Sequence, residues 1–331
     1  MSTTNKKRLL SGIKPTGRPH IGNYFGALRQ FVEFQNDYET LIMIADYHAL
    51  TTLYQPKELK ENSFNLAVDY LTIGLDPKKT ILFRQSDVPA HTTLAWIFNC
   101  LTTMPYLMRA HAYKDAQAKN KEVSVGTFTY PLLMAADILL YDTDIVPVGK
   151  DQKQHVEYAR DTALKFNHQF GTTFKLPEAK IVNQTESIVG IDGQKMSKSY
   201  NNTIPLFADD QEIEKKVMSI TTDSRAIGEP KDPKECNIFY YHKLFTPDDQ
   251  LKILENRYRQ GDISYQESKK ILISNIISFI KPLREKRRTI ATDKKEIEKI
   301  FTQGARRAQV IAEAKMKEIN KKIGIDLFAS L

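Results

Sequence analysis

Arg8-Leu9-Leu10-Ser11-Gly12-Ile13 runs straight into Lys14-Pro15-Thr16-Gly17-Arg18-Pro19-His20-Ile21-Gly22-Asn23. The first six residues have the length and aliphatic content of a short buried strand. The prolines and glycines that follow break regular structure. Ile21, Phe25, Leu28 and Val32 then recur at helical spacing. A strand, a turn and a helix make the opening of a βα unit, and the first half of the chain repeats that order. Thr40–Ala45, Thr80–Phe83 and Ile145–Val148 read as strands. Pro56–Gly74, Pro89–Cys100 and Gln152 to Phe166 read as helices. Strands alternating with helices predict an α/β fold with a doubly wound, Rossmann-like parallel sheet, which binds ligands at the carboxyl ends of its strands.

Beyond Pro205 the strand signal fades. Gln211–Ile220, Glu235–Phe245, Asp248–Arg259, Ser264–Ile280 and Lys294–Ile319 read as helices, with turn signals at Gly228–Pro233, Thr246-Pro247 and Gly261-Asp262. An all-α C-terminal domain is therefore expected after the sheet. The 331 residues have ordinary globular composition, with 41% hydrophobic and 27% charged residues, which excludes a disordered or collagen-like chain. The longest apolar candidate, Tyr130–Val148, is interrupted by Asp137 and Asp142, so no membrane span is expected. The first residues lack the apolar segment of a signal peptide. Two distant cysteines, Cys100 and Cys236, fit neither a disulfide scaffold nor a Cys-rich zinc site, and point to a reducing cytoplasm. The net charge of +8 is concentrated at one end: residues 281–331 hold 14 Lys/Arg against 7 Asp/Glu, leaving a net +1 for the rest. Such an end suits a polyanion or, equally, a solvated helix face.

Three segments carry chemistry. In the opening turn, a helix N-terminus offers unpaired N–H groups to a phosphate, while Gly12 and Gly17 permit close backbone approach. His20 and Asn23, three apart, project from one face of the first turn and supply neutral donors to charge growing at phosphorus. A Gly/Pro-rich turn with a capping Asn is the alternative. Neither of the common glycine-rich phosphate signatures is present. The second segment, Lys195-Met196-Ser197-Lys198-Ser199 after Gly190-Ile191-Asp192-Gly193-Gln194, places two ammonium groups on a glycine-flanked loop able to close on a leaving pyrophosphate. A solvated basic loop is the alternative. The third is a helical stripe of Tyr130, Met134, Asp137 and Ile138, with Asp137 as its lone anion. A buried carboxylate is costly unless it accepts hydrogen bonds, so Asp137 either reads a ligand or is a structural acceptor.

The pair P-x-x-H-I-G-N and K-M-S-K-S, 175 residues apart from His20 to Lys195, resembles the signatures of the class I aminoacyl-tRNA synthetases. Asp46-Tyr47-His48-Ala49-Leu50-Thr51, Thr129–Tyr141 and Asp144–His155 narrow the resemblance to the bacterial tryptophanyl type, over essentially the whole chain. That resemblance implies ATP-dependent activation of L-tryptophan and its transfer to tRNA(Trp), with Mg²⁺ accompanying ATP and no dedicated protein metal site. It also implies a homodimer, with neither a membrane nor DNA as partner. Residues 1–190 would form the catalytic domain, 191–204 the signature loop and 205–331 a helical tRNA-binding domain. His20, Asn23, Lys195 and Lys198 would be catalytic. ATP would be held by Lys14, Pro15, Thr16, Gly22 and Asn23, by Gly149, Lys150 and Asp151, and by Val189 with Lys195, Met196, Ser197, Lys198 and Ser199. Tryptophan would lie against Gly12, His48, Tyr130, Met134, Ile138, Val146 and Val148, its indole N–H donated to Asp137. Asp151 would alternatively cap a helix, and His48 would alternatively be structural. Lys150 stands where relatives often carry an acidic residue, and Leu10 where a Phe is frequent. A tyrosyl enzyme, an adenylyltransferase with an H-x-G-H turn and a catalytically inert RNA-binding relative are the competing readings.

Overall fold

The computed structural model describes residues 6–110, 113–114, 122–149, 153–181 and 188–326. Five strands, β1 (Arg8–Ile13), β2 (Glu39–Ile44), β3 (Thr80–Arg84), β4 (Ile145–Val148) and β5 (Glu178–Ile181), form one sheet in the order β3-β2-β1-β4-β5. Every pairing is parallel; Leu9 stands opposite Thr40 on one side and Ile145 on the other. The chain reverses its direction of winding at β1, so β1 and β4 flank the switch point where such sheets bind ligands. β5 is absent from the sequence reading. It is an edge strand of sequence Glu-Ala-Lys-Ile with no buried residue, and so has no apolar run to announce it.

The described chain groups into two compact units. The first comprises Met1–Gly17, Phe31–Asn183 and Asp293–Leu331. Its core contains Leu41, Met43, Ile81 and Phe83 from the sheet, Phe98 from the Ala90–Leu101 helix and Ala135, Ala136 and Leu139 from the Val125–Leu139 helix. Phe83 and Phe98 have no exposed surface, and truncating either to Ala would cost about 3–5 kcal/mol.

The long Lys294–Ile323 helix packs on this unit rather than with the helices that precede it, so the chain does not divide at a single point near residue 190. Its inner face is lined with small residues: Gly304, Ala305, Ala308 and Ala312 are all buried. At Gly304 a methyl group would stand 1.8 Å from the Leu82 carbonyl oxygen, so only glycine permits this approach. The many lysines and arginines on its outer face conceal the small-residue stripe from a reading of net charge.

The second unit comprises Arg18–Gln30 and Gln184–Thr292. Its helices span Asp210–Met218, Asn237–Phe245, Asp248–Gln260 and Tyr265–Thr292. Phe239, Leu254, Tyr258 and Ile263 make its core, and His242 is buried between Thr246 Oγ1 at 2.7 Å and Ser268 Oγ at 3.0 Å. The aromatic rings of Tyr24, Phe25, Phe245 and Phe279 cluster, tying the first helix of the chain to this unit. Among the described residues no helix is long and apolar enough to cross a membrane.

Candidate active site

His20 is buried and caps a helical turn, Ile21–Asn23, that continues as a π-helical turn over Tyr24–Leu28. π-Turns of this kind are enriched at functional sites. Two reciprocal contacts fix the motif: the His20 N–H donates to Asn23 Oδ1 at 3.0 Å, and the Asn23 N–H reaches His20 Nδ1 at 3.3 Å. Burial, assisted by the positive charge of Lys198, pulls the His20 pKa down to about 4. The ring is therefore neutral at pH 7. With Nδ1 accepting, its proton sits on Nε2, which is left as a donor. Asn23 uses its oxygen as the cap and keeps its amide N–H groups for donation. The segment is paired with the chain just beyond the second signature: Ile21 N–H donates to Ile204 O at 3.0 Å, and Leu206 N–H to Pro19 O at 2.9 Å.

The second signature grows from a hairpin. Val189 bridges Lys195, and the Met196 N–H donates to Ile188 O at 2.8 Å. Met196 is buried, whereas Lys195, Lys198 and Ser199 are exposed. Ser197 Oγ accepts from the Ser199 N–H at 3.3 Å and starts the turn Lys198–Tyr200. Asn202, which the sequence reading misses, anchors the loop. Its Oδ1 accepts from the Ser197 N–H at 2.7 Å, while its Nδ2 donates to Asp192 Oδ1 at 2.9 Å and Lys195 O at 3.1 Å. The Asn202 hydrogen bond, followed by the Gln194 backbone N–H, holds the Asp192 carboxyl below its ordinary range.

In the first unit, side chains from the segments that follow two strands converge on Asp137. His48 follows β2, Gln85 and His91 follow β3, and Asp137 lies on the Val125–Leu139 helix. Asp137 has no exposed surface. Its Oδ2 faces His48 Nε2 at 2.8 Å; its Oδ1 faces Gln85 Nε2 at 2.8 Å and His91 Nδ1 at 2.6 Å. Burial raises the carboxyl pKa, but the contacts with His48 and His91 outweigh it and hold the group below its ordinary range. Tyr130 lies edge-on to His48, with ring centroids 6.2 Å apart. The Lys14 ammonium stands 5.8 Å from the Tyr130 ring centroid, and the Tyr130 hydroxyl meets His155 Nε2 at 3.1 Å.

Residues 2–281 match the family of class I tRNA synthetases for tryptophan and tyrosine. The chain belongs to this family. A tryptophan–tRNA ligase of Fusobacterium nucleatum is 46% identical over 320 residues, spanning 96% of this chain and 98% of the relative. The crystal structure of the Campylobacter jejuni tryptophanyl-tRNA synthetase complexed with ADP and tryptophan matches with a TM-score of 0.91 at 46% identity, covering 96% of this chain and 99% of that one. The Archaeoglobus fulgidus tyrosyl-tRNA synthetase complexed with L-tyrosine covers 86% of this chain and 91% of its own at 20% identity and a TM-score of 0.67, a likeness of fold.

Within this class I synthetase the expected residues separate into groups. His20, Gly22 and Asn23 and the loop Lys195–Ser199 belong to one unit, as does Val189, whose carbonyl accepts from the Tyr241 hydroxyl. His48, Tyr130 and Asp137 are brought together in the other. Met134 and Val148 pack against the core only in part, whereas Ile138 and Val146 are buried members of it. Gly12 has a neighbour that explains it without a ligand: a methyl group there would stand 2.6 Å from Met43 Cγ on the adjacent strand. Pro15 is buried, and the Thr16 N–H turns back to Lys14 O at 2.8 Å. Gly149 follows β4; Lys150 and Asp151 lie outside the described residues. Gln85, His91 and Asn202 are missed by sequence reasoning, since no local pattern marks a lone Gln, His or Asn as the partner of a distant acid or loop.

Proposed function

We propose that the chain is a tryptophan–tRNA ligase. It activates L-tryptophan with ATP to tryptophanyl-adenylate and pyrophosphate, then transfers the tryptophan to tRNA(Trp). The observation that carries the reading is the pairing of the two signatures in one unit, where neutral His20 lies within electrostatic reach of Lys198. The identity of 46% to tryptophan enzymes along nearly the whole chain supports tryptophan over tyrosine.

In the first step a tryptophan carboxylate oxygen attacks the α-phosphorus of ATP, and the bond from that phosphorus to the pyrophosphate oxygen breaks. Negative charge grows on the phosphate oxygens. His20 Nε2–H and the Asn23 amide donate to it, and Lys195 and Lys198 neutralise the departing pyrophosphate. In the second step a terminal ribose hydroxyl of tRNA attacks the acyl carbon, and AMP leaves. No side chain acts as a nucleophile; the protein contributes positioning and electrostatics. Tyr130 and Met134 wrap the indole, and Asp137 accepts its N–H. Mg²⁺ is proposed to travel with the ATP phosphates and water. Among the described residues no three His, Cys, Asp or Glu side chains are grouped so that they could hold a metal ion. A cytoplasmic homodimer is proposed from the family resemblance, and the basic helices near the C-terminus are its proposed contribution to tRNA binding.

ATP–pyrophosphate exchange measured with tryptophan and tyrosine side by side tests the reading. Exchange dependent on tryptophan and charging of tRNA(Trp) are expected. Exchange driven by tyrosine, or by neither amino acid, overturns it.

A further inference from the structure

His91 opens the Ala90–Leu101 helix beyond β3, and its imidazole has no exposed surface. Both ring nitrogens are engaged. Nδ1 lies 2.6 Å from Asp137 Oδ1 and Nε2 lies 2.8 Å from the Tyr141 hydroxyl. The Phe83 ring stacks on the imidazole with centroids 6.1 Å apart and planes inclined by 24°, so the ring plane is fixed as well. Burial, with the nearby Asp137 charge, raises the Tyr141 pKa, and the hydroxyl keeps its proton. An O–H donated to Nε2 leaves Nδ1 as the ring's donor, and Nδ1 points at the carboxylate.

Gln85 supports the same oxygen. Its Nε2 donates to Asp137 Oδ1, and its Oε1 accepts from the backbone N–H of His48 at 3.3 Å. A carboxylate oxygen accepts about two hydrogen bonds. Oδ1 is thus filled by His91 and Gln85, whereas Oδ2 receives His48 alone among the described residues. One acceptor direction remains on Oδ2, the oxygen that meets His48, whose ring in turn lies edge-on to Tyr130.

We propose that His91, bridging Tyr141 and Asp137, is a positioning residue that turns the Asp137 carboxylate so that Oδ2 receives the substrate's indole N–H. The inference rests on the reading of Asp137 as the indole acceptor. Tyr141 anchors the Nε2 end of the imidazole, His91 holds Oδ1 and Asp137 reads the substrate. If the Tyr141 hydroxyl is removed, Nε2 loses its partner and the imidazole is held only by Asp137 and the Phe83 ring. The ring can then shift, and the carboxylate loses its fixed orientation.

The test compares tryptophan with benzothienyl-alanine, which has sulfur in place of the indole N–H, in ATP–pyrophosphate exchange by the full-length protein. Tyr141→Phe keeps the ring and removes only the hydroxyl. It is expected to lower the kcat/KM ratio of tryptophan to the analogue about tenfold, with the analogue's own kcat/KM and the KM for ATP nearly constant. In an Asp137→Ala background the same substitution should leave the ratio unmoved. Equal losses for both amino acids would mean that Tyr141 and His91 merely support the fold, and would overturn the proposal. An unchanged ratio in Tyr141→Phe, beside a collapsed ratio in Asp137→Ala, would overturn it while sparing the Asp137 reading. No change in Asp137→Ala itself would overturn both. Nitrogen-15 NMR of the wild-type imidazole gives an answer that depends on no variant: the Nδ1–H tautomer of His91 is expected, and the Nε2–H tautomer refutes the chain of donors.

Discussion

The sulfur of Met196 occupies the space that a side chain on Gly22 would need, 3.2 Å from where a Cβ would lie. The same Cβ would stand 2.9 Å from His20 Nδ1 and 3.0 Å from its Cε1. The glycine of the first signature is therefore the seat both for the methionine of the second and for the His20 imidazole.

Gly22→Ala should displace the His20 ring. Misplacing a transition-state donor by about 1 Å costs on the order of a hundredfold, and Met196 is flexible enough to yield without unfolding the protein. Single-turnover formation of tryptophanyl-adenylate should fall by one to two orders of magnitude, with the thermal midpoint little changed. A wild-type rate would show that the ring tolerates the methyl group.

Lys198 and His20 are expected to act at one step. Lys198→Ala and His20→Ala should each slow adenylate formation by roughly a hundredfold or more, the usual effect of removing one transition-state donor. Tryptophan affinity, measured by equilibrium dialysis, should barely move. The double variant should lose less than the product of the two single losses, because the groups lie within electrostatic reach of one another. Unchanged pre-steady-state adenylation in Lys198→Ala would remove that lysine from the chemistry.

Asp137→Ala should collapse the preference for tryptophan over phenylalanine. A site that hydrogen-bonds a substrate N–H rejects an analogue without it by as much as ~10⁴–10⁵, since its buried acceptor is left unpaired. ATP affinity should stay nearly constant. The substitution also strips His48, Gln85 and His91 of their shared acceptor, so some loss of thermal stability is expected alongside. Should wild type and variant discriminate equally, Asp137 would be structural and another group would read the indole.

The basic end divides between two helices, and its charges should be tested as two pairs. Arg287 and Arg288 lie on the Tyr265–Thr292 helix, where the Arg287 guanidinium stands 5.2 Å from the Phe207 ring centroid. Arg306 and Arg307 lie on the Lys294–Ile323 helix, and Arg307 donates to Pro77 O at 3.2 Å. Changing either pair to Gln should weaken tRNA binding and reduce its salt dependence by up to about one unit of log–log slope for each phosphate that is no longer neutralised. Tryptophan-dependent exchange should be retained. Identical tRNA affinity over a range of salt concentrations would leave these arginines as a solvated face.

The sequence by itself determined the local elements and the two signatures. β1 to β4 are short apolar runs bounded by turn residues, and burial on both faces of a parallel sheet makes such runs conspicuous. The signatures are legible because each is contiguous: His20 and Asn23 share one helical turn, and Lys195 to Ser199 one loop. Tertiary structure alone decided what lies far apart in the chain. The partners of Asp137 come from 89, 52 and 46 residues away, and nothing local distinguishes His91 from a surface histidine. β5 escaped notice because an exposed edge strand needs no apolar pattern, its identity resting on backbone hydrogen bonds to β4. The helical pattern of the last helix groups it in the sequence with the helices that precede it, whereas it packs on the unit that holds the sheet. The close approach of Gly304 to Leu82 fixes its place on the sheet, because that approach depends on an absent side chain that only the facing strand makes necessary.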